Sequence, residues 1–241
     1  MAYGMLSRLF MLTSRPHESI AWGEKALHLA EPLGDDDVRA NALNNIGVSL
    51  VLLGEIQRGI DFLERSLELA KQVGASVFTT GRAYINLGAQ LLLLGEFKRA
   101  AEVAREGIAF HHDLGLDPDL EWRVLGSAEL ELGQWDRAHE LLDRAIRAGE
   151  LGIPTARLQA LPIKAELLLR QGRLDEARRL ESALSECEKL GDRTDFGSFA
   201  SALARVHLAL GDLDQAIVVM DRGVAACRAI GPLVGTEPTL G

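Results

Sequence analysis

Aromatic side chains make up only 5% of the 241 residues, and the chain has just two cysteines and seven prolines. Cys187 and Cys227 stand apart, without CxxC spacing, which excludes a disulfide-built scaffold and a thiolate metal cluster. They read as small helix-packing residues in a reducing cytosol. No apolar stretch reaches the roughly 18 residues that a membrane-spanning helix needs. The N-terminus is apolar, but Arg8 interrupts it and no small-residue cleavage site follows, which argues against a signal peptide. Positive charge is short as well: 26 Lys and Arg against 35 Asp and Glu leave a net charge of −9. No basic run forms a patch, so nothing draws the chain toward phosphate backbones or anionic lipid. Neither nucleic acid nor a membrane is expected as a partner, and the expected location is cytoplasmic.

Signatures of chemistry are missing too. There is no GxxxxGK[ST] phosphate loop, no GxSxG elbow, no HExxH and no Cys/His ligand set. His111 and His112 are adjacent, so on a helix they point about 100° apart and do not share an ion easily. They read as solvated residues that suit a helix C-terminus. His207 falls in a large, packed slot, and His139, beside Asp136 and Glu140, reads as exposed charge patterning. The carboxylates follow exposed stripes such as Leu63-Glu64-Arg65 and Glu176-Ala177-Arg178-Arg179. No catalytic residue, cofactor or metal is expected, and the chain is not read as an enzyme.

What the sequence does hold is Leu, Ala and Gly in a repeating pattern. A turn residue recurs at Ser14, Gly54, Gly95, Gly133, Gly172 and Gly211, at intervals of 40, 41, 38, 39 and 39. Seven residues before it stand Ser7, Gly47, Gly88, Gly126, Ala165 and Ala204. Five residues after it stand Ser19, Gly59, Ala100, Ala138, Ala177 and Ala216. Small side chains are needed where two helices cross closely. Large residues hold the positions four, eight and eleven before the turn, as in Leu50, Ile46 and Leu43, on the same helical face as the small one. These offsets define helix A of a unit. Helix B follows the turn and ends at a second glycine: Gly34, Gly74, Gly115, Gly152, Gly191 and Gly231. Lys164 and Glu181 break the pattern by standing in slots that should be apolar, so the fifth unit departs most.

The arrangement, best seen in Asn45-Ile46-Gly47 and Asn86-Leu87-Gly88, resembles the tetratricopeptide (TPR) repeat, although these units exceed its usual length of about 34 residues. The expected fold is all-α: a right-handed α-solenoid of six TPR-like helix–turn–helix repeats. The units fall at about 1–39, 40–80, 81–118, 119–157, 158–196 and 197–231, in one solenoid over 1–231. Residues 232–241 read as a linker or the start of a further unit. Ala42-Leu43-Asn44-Asn45-Ile46-Gly47, the run Phe62 to Ala70, and Leu132 to Ala138 are similar to the helical half of large bacterial ATPase regulators. Those proteins join a nucleotide-binding domain to a long TPR region. Many end in a LuxR-type helix-turn-helix, and some begin with an adenylate cyclase domain. The resemblance implies a sensor and scaffold segment of a signalling or transcriptional regulator. A stand-alone assembly adaptor or co-chaperone-like TPR protein is the alternative.

In the TPR family the concave face is lined by helix A residues off the packing face. Here that implies partner-binding positions at Asn41, Asn44, Asn45, Arg82, Asn86, Arg123, Ser127, Glu166 and Arg205, facing a protein or peptide ligand. Amides can bracket a peptide backbone and Arg can grip a carboxylate, although this face lacks the matched cations of a dedicated C-terminal-carboxylate clamp. A solenoid needs polar outer faces on its end repeats. The first helix, with Met5, Leu9 and Leu12, and the last, with Ile217, Val218 and Met220, lack them. Flanking repeats or domains, or end-to-end self-association, are therefore expected to cover both.

Overall fold

A computed structural model describes residues 2–151, 154–190 and 193–228. Every regular element among them is a helix and none is a strand. The turn residues fall where expected. Gly54 has a left-handed backbone, φ 82°. Its N–H donates to Val51 O, and the N–H of Glu55 reaches back to Leu50 O, both at 2.9 Å. This pair of bonds closes a helix and satisfies carbonyls that would otherwise lack partners. The same pair recurs at all six turns, down to Asp212 N–H on His207 O in the last. The expected helix-B stops at Gly152, Gly191 and Gly231, and the tail 232–241, lie outside the described residues.

Ser14 is the one turn residue with a side chain, and the one described non-glycine with positive φ, 55°. An L residue in this region carries a steric penalty that glycine escapes. Ser14→Gly should therefore stabilise the protein, by about 0.5 kcal/mol once the looser unfolded chain is counted. A denaturant midpoint that falls instead would show that the Ser14 side chain supports the turn.

The chain divides into two compact units, Met1–Leu116 and Asp117–Gly241. The first holds α1 (Ala2–Leu12), α2 (Pro16–Ala30), α3 (Asp36–Leu52), α4 (Ile56–Gln72), α5 (Val77–Leu93) and α6 (Phe97–Asp113). The second holds α7 (Asp119–Glu131), α8 (Trp135–Leu151), α9 (Pro154–Arg170), α10 (Leu174–Arg179), α11 (Leu184–Leu190), α12 (Arg193–Leu210) and α13 (Leu213–Arg228). A single 3-10 turn, Leu180–Ala183, joins α10 to α11, so these two serve as one interrupted helix B. Each unit thus contains three hairpins. Partners move apart along both helices from the turn, as Val51 with Gly59, Gly47 with Leu63, and Ala40 with Ser66 show, so paired helices run antiparallel.

All twelve small slots are buried. Successive A helices also pack side by side: α1 on α3 and α3 on α5 in the first unit, α7 on α9 and α9 on α12 in the second. Phe196, Phe199, Leu158 and Leu203 form a buried cluster in the second unit, with Cys187 among them. Burial pushes the Cys187 thiol up to about 11, so it is packing material rather than a nucleophile.

The fifth hairpin keeps its register despite its two polar slots, because each polar side chain finds a partner. Lys164 is buried on α9, and its ammonium meets Asp143 Oδ1 at 2.6 Å and His139 Nδ1 at 2.9 Å on α8. Glu181 accepts from Gln215 at 2.7 Å and lies 3.0 Å from Nε2 of the buried His207. His139 is thus not exposed patterning but part of a half-buried triad. His111 is likewise packed, against Gly81 and the Phe110 ring, while His112 is exposed.

An ammonium can only donate, so Nδ1 of His139 must accept and the ring is held neutral. Burial and the Lys164 charge lower the His139 pKa, and Asp143 opposes them. The folded state thus binds this proton less readily than the unfolded chain. The resulting stability is complete above the ordinary value near 6.5 and disappears as pH falls through the lowered folded value. An NMR titration of the His139 ring should give a midpoint below 6.5. A midpoint at or above it would show that Asp143 dominates.

Candidate functional site

In the first unit the A helices α1, α3 and α5 lie side by side, and the expected amides and arginine meet on their shared face. Arg82 Nη1 donates to Asn41 Oδ1 and Nη2 to Asn45 Oδ1, each at 2.9 Å. Asn45 Nδ2 reaches the Gly4 carbonyl on α1 at 3.3 Å and Asn41 Oδ1 at 3.4 Å. One helical turn along, Asn86 Nδ2 donates to Asn44 Oδ1 at 2.5 Å. Repeat periodicity explains these pairs, since residues about one repeat apart on neighbouring A helices stand opposite each other.

Exposure separates these side chains. Asn41, Arg82 and Asn86 are partly exposed. Asn44 and Asn45, at 1% and 0% exposure, are buried supports rather than surface contacts, which corrects the reading of all five as a lining. Asn44 Nδ2 is sealed from solvent with no acceptor. Burial, together with the nearby charge of Arg8, pulls Arg82 down to about 10.

The second unit uses its equivalent positions differently. Glu166 on α9 pairs with Arg170 on its own helix at 2.7 Å and with Arg205 on α12 at 2.6 Å. Arg170 also grips Glu131 on α7 at 2.9 Å. Glu166 and Arg205, expected as ligand contacts, are therefore held in an ionic ladder across three helices. The Ser127 hydroxyl turns back onto the Arg123 carbonyl at 2.9 Å. Arg123 is largely buried; burial lowers its pKa, against the pull of Asp195 and Glu121. Glu166, Arg205 and Ser127 bond within their own unit, whereas Arg82 on the first-unit face pairs with no carboxylate among the described residues.

Two residues of that face escaped the sequence reading. Arg8 lies six residues before its turn, the slot that Ser127, Glu166 and Arg205 fill in later units, so the repeat register alone would have found it. Phe78 begins α5 one turn before Arg82 and is 52% exposed. The Arg8 guanidinium stands 4.8 Å from the centre of the Phe78 ring, and that of Arg82 stands 5.5 Å from it. A ring face attracts cations, which fixes both guanidiniums beside it.

No helix among the described residues is long and apolar enough to cross a membrane. The family model for the MalT-like TPR region matches residues 5–222. No reviewed protein matches the sequence. Among solved structures, BtubC from P. vanneervenii is similar at 17% identity and a TM-score of 0.71, with 92% of this chain and 94% of that chain covered. The Rap protein complexed with competence and sporulation factor gives 18% identity and a TM-score of 0.73, over 96% of this chain and 65% of that one. A STAND (signal transduction ATPase with numerous domains) protein with a tetratricopeptide repeat sensor, from Pyrococcus horikoshii, gives 13% identity and a TM-score of 0.66. The match covers 92% of this chain but only 35% of that one. At such identities the likeness is one of fold.

Proposed function

The chain belongs to the MalT-like TPR family, and we propose that it is a non-catalytic scaffold that binds a protein or peptide on the α1–α3–α5 face of its first unit. On this reading it is the sensor segment of a cytoplasmic bacterial regulator, working beside a nucleotide-binding or DNA-binding domain. The observation that carries the reading is the row of amides and guanidinium groups from Asn41 to Asn86, held in place by bonds between successive A helices. Pre-formed polar groups on a rigid surface can order an extended segment at low cost in protein entropy. Fold neighbours include a Rap protein complexed with competence and sporulation factor and the quorum sensor NprR from B. thuringiensis. The exposed apolar residues Met5, Leu9 and Leu12 on α1, and Leu213, Ile217 and Val218 on α13, then serve as seats for adjoining repeats, domains or a second copy.

A random peptide display library, panned against the folded chain, tests the reading. It should yield peptides whose binding is abolished by Ala89→Trp, which fills the neighbouring slot of the α5 face. Recovery of no peptide, or of peptides indifferent to that block, would overturn it.

A further inference from the structure

We propose that Arg8 and Arg82, on either side of Phe78, form a seat for a carboxylate of an acidic peptide; this rests on the peptide-binding reading of the same face. Two positive side chains share one aromatic ring here. Neither pairs with a carboxylate among the described residues. Arg82 spends both terminal nitrogens on neutral amide oxygens of Asn41 and Asn45. Arg8 makes no hydrogen bond among the described residues, and its Nε is shut off from water without an acceptor.

Acid is not in short supply. The chain carries 35 Asp and Glu against 26 Lys and Arg. Elsewhere its arginines take their share: Arg99 contacts both Glu64 and Glu96, and Arg170 contacts both Glu131 and Glu166. Two guanidinium groups beside one ring repel each other, and an anion between them would relieve both.

The polar atoms left over point the same way. In the first unit the sealed side-chain atoms without a hydrogen bond are Arg8 Nε and Asn44 Nδ2, and both are donors. Asn41 adds a third donor, because its oxygen already accepts from Arg82 and Asn45 and its own Nδ2 remains available. Donors left without acceptors call for a ligand that supplies acceptor oxygens. One guanidinium not yet bonded, with amide donors beside it, suits a singly charged carboxylate better than a phosphate dianion. The half-exposed Phe78 ring supplies apolar contact for the methylenes of a Glu or Asp side chain. The occupant inferred is therefore an extended peptide segment with one acidic side chain at a fixed position.

The display selection supplies the probe. Peptides that Ala89→Trp blocks should carry Asp or Glu at one recurring position. In the tightest of them, changing that acid to its amide should weaken binding about tenfold or more, and Arg8→Gln on the protein should do the same. Applied together, the two changes should lose no more than either alone, because they remove the same contact. The peptide change leaves the protein untouched, so misfolding cannot imitate it. Blocked peptides that tolerate both changes to within about twofold would overturn the carboxylate seat and leave the peptide-binding reading standing. A loss on Arg8→Gln alone, with the amide peptide still bound, would make Arg8 structural and also overturn the seat. Recovery of no blocked peptide would overturn both.

Discussion

Gly59→Leu in α4 is expected to cost at least about 3 kcal/mol and to unfold the first unit at temperatures where the native chain is stable. A Cβ at Gly59 would lie 2.5 Å from Val51 Cγ2, 2.7 Å from the Gly47 carbonyl oxygen and 3.0 Å from Val51 N. A Cβ at Gly47 would lie 2.8 Å from the Gly59 carbonyl oxygen and 2.7 Å from Leu63 Cγ. Each glycine backbone therefore rests on the other, and the α3–α4 crossing has no room for a side chain on either. A side chain can rotate out of the way, but a carbonyl inside a helix cannot. Alanine decides the matter by sign. In an open helix interior Gly→Ala gains about 1 kcal/mol from propensity alone. At Gly59 the same change should lose about 1–3 kcal/mol. Gly4 in α1 is the control, since a Cβ there meets nothing within 4 Å, and Gly4→Ala should stabilise. Hydrogen exchange of the α3 and α4 amides, read with denaturant midpoints, separates the outcomes. A Gly59→Ala midpoint at or above the native one would show that the helices can move apart without loss.

That crossing was legible in the sequence because its causes are local. A left-handed turn favours glycine and a close crossing favours glycine, alanine or serine, so a small residue at a fixed offset from each turn reports both. The register held even through Lys164 and Glu181. What could not be read was whom those polar side chains meet. Lys164 finds Asp143 and His139 on the preceding helix, and Glu181 finds His207 and Gln215 on the two that follow. Periodicity assigns a residue to a face but does not say which long side chain crosses to the next helix. The same limit applies to the candidate face. Asn41, Arg82 and Asn86 are partly exposed on one face, yet Asn44 and Asn45 are buried beneath it. Glu166 and Arg205, similar in text to a ligand contact, are bound to each other. Arg8 stands in the sequence as a break in an apolar run, although its offset from the turn matches that of Arg205.

Asp143→Ala in α8 should destabilise the protein by about 2–3 kcal/mol, whereas Lys164→Met should change stability by less than about 1 kcal/mol, or raise it. The asymmetry follows from where each charge sits. The Lys164 side chain is 6% exposed, and Asp143 is 35% exposed. Without Asp143 the ammonium keeps only His139 Nδ1 and the more distant His139 carbonyl at 3.4 Å. Both are neutral, so a buried charge is left without a counter-charge. Burial already holds the Lys164 pKa below its ordinary value, and the bond to Asp143 is the main effect opposing it. Releasing the proton sets a ceiling on the damage, since neutralising an ordinary lysine at pH 7 costs about 5 kcal/mol. Methionine is close to the lysine stem in length and carries no charge, and it lets Asp143 turn to water. The double variant completes the argument. With Met at 164 there is no ammonium to strand, so adding Asp143→Ala should cost almost nothing and can even gain a few tenths of a kcal/mol from helix propensity. Denaturant unfolding of the four proteins at pH 7 gives the coupling directly, expected at about 2 kcal/mol or more. Additive losses, or a Lys164→Met variant as unstable as Asp143→Ala, would mean that the lysine stem and not its charge holds α9 against α8.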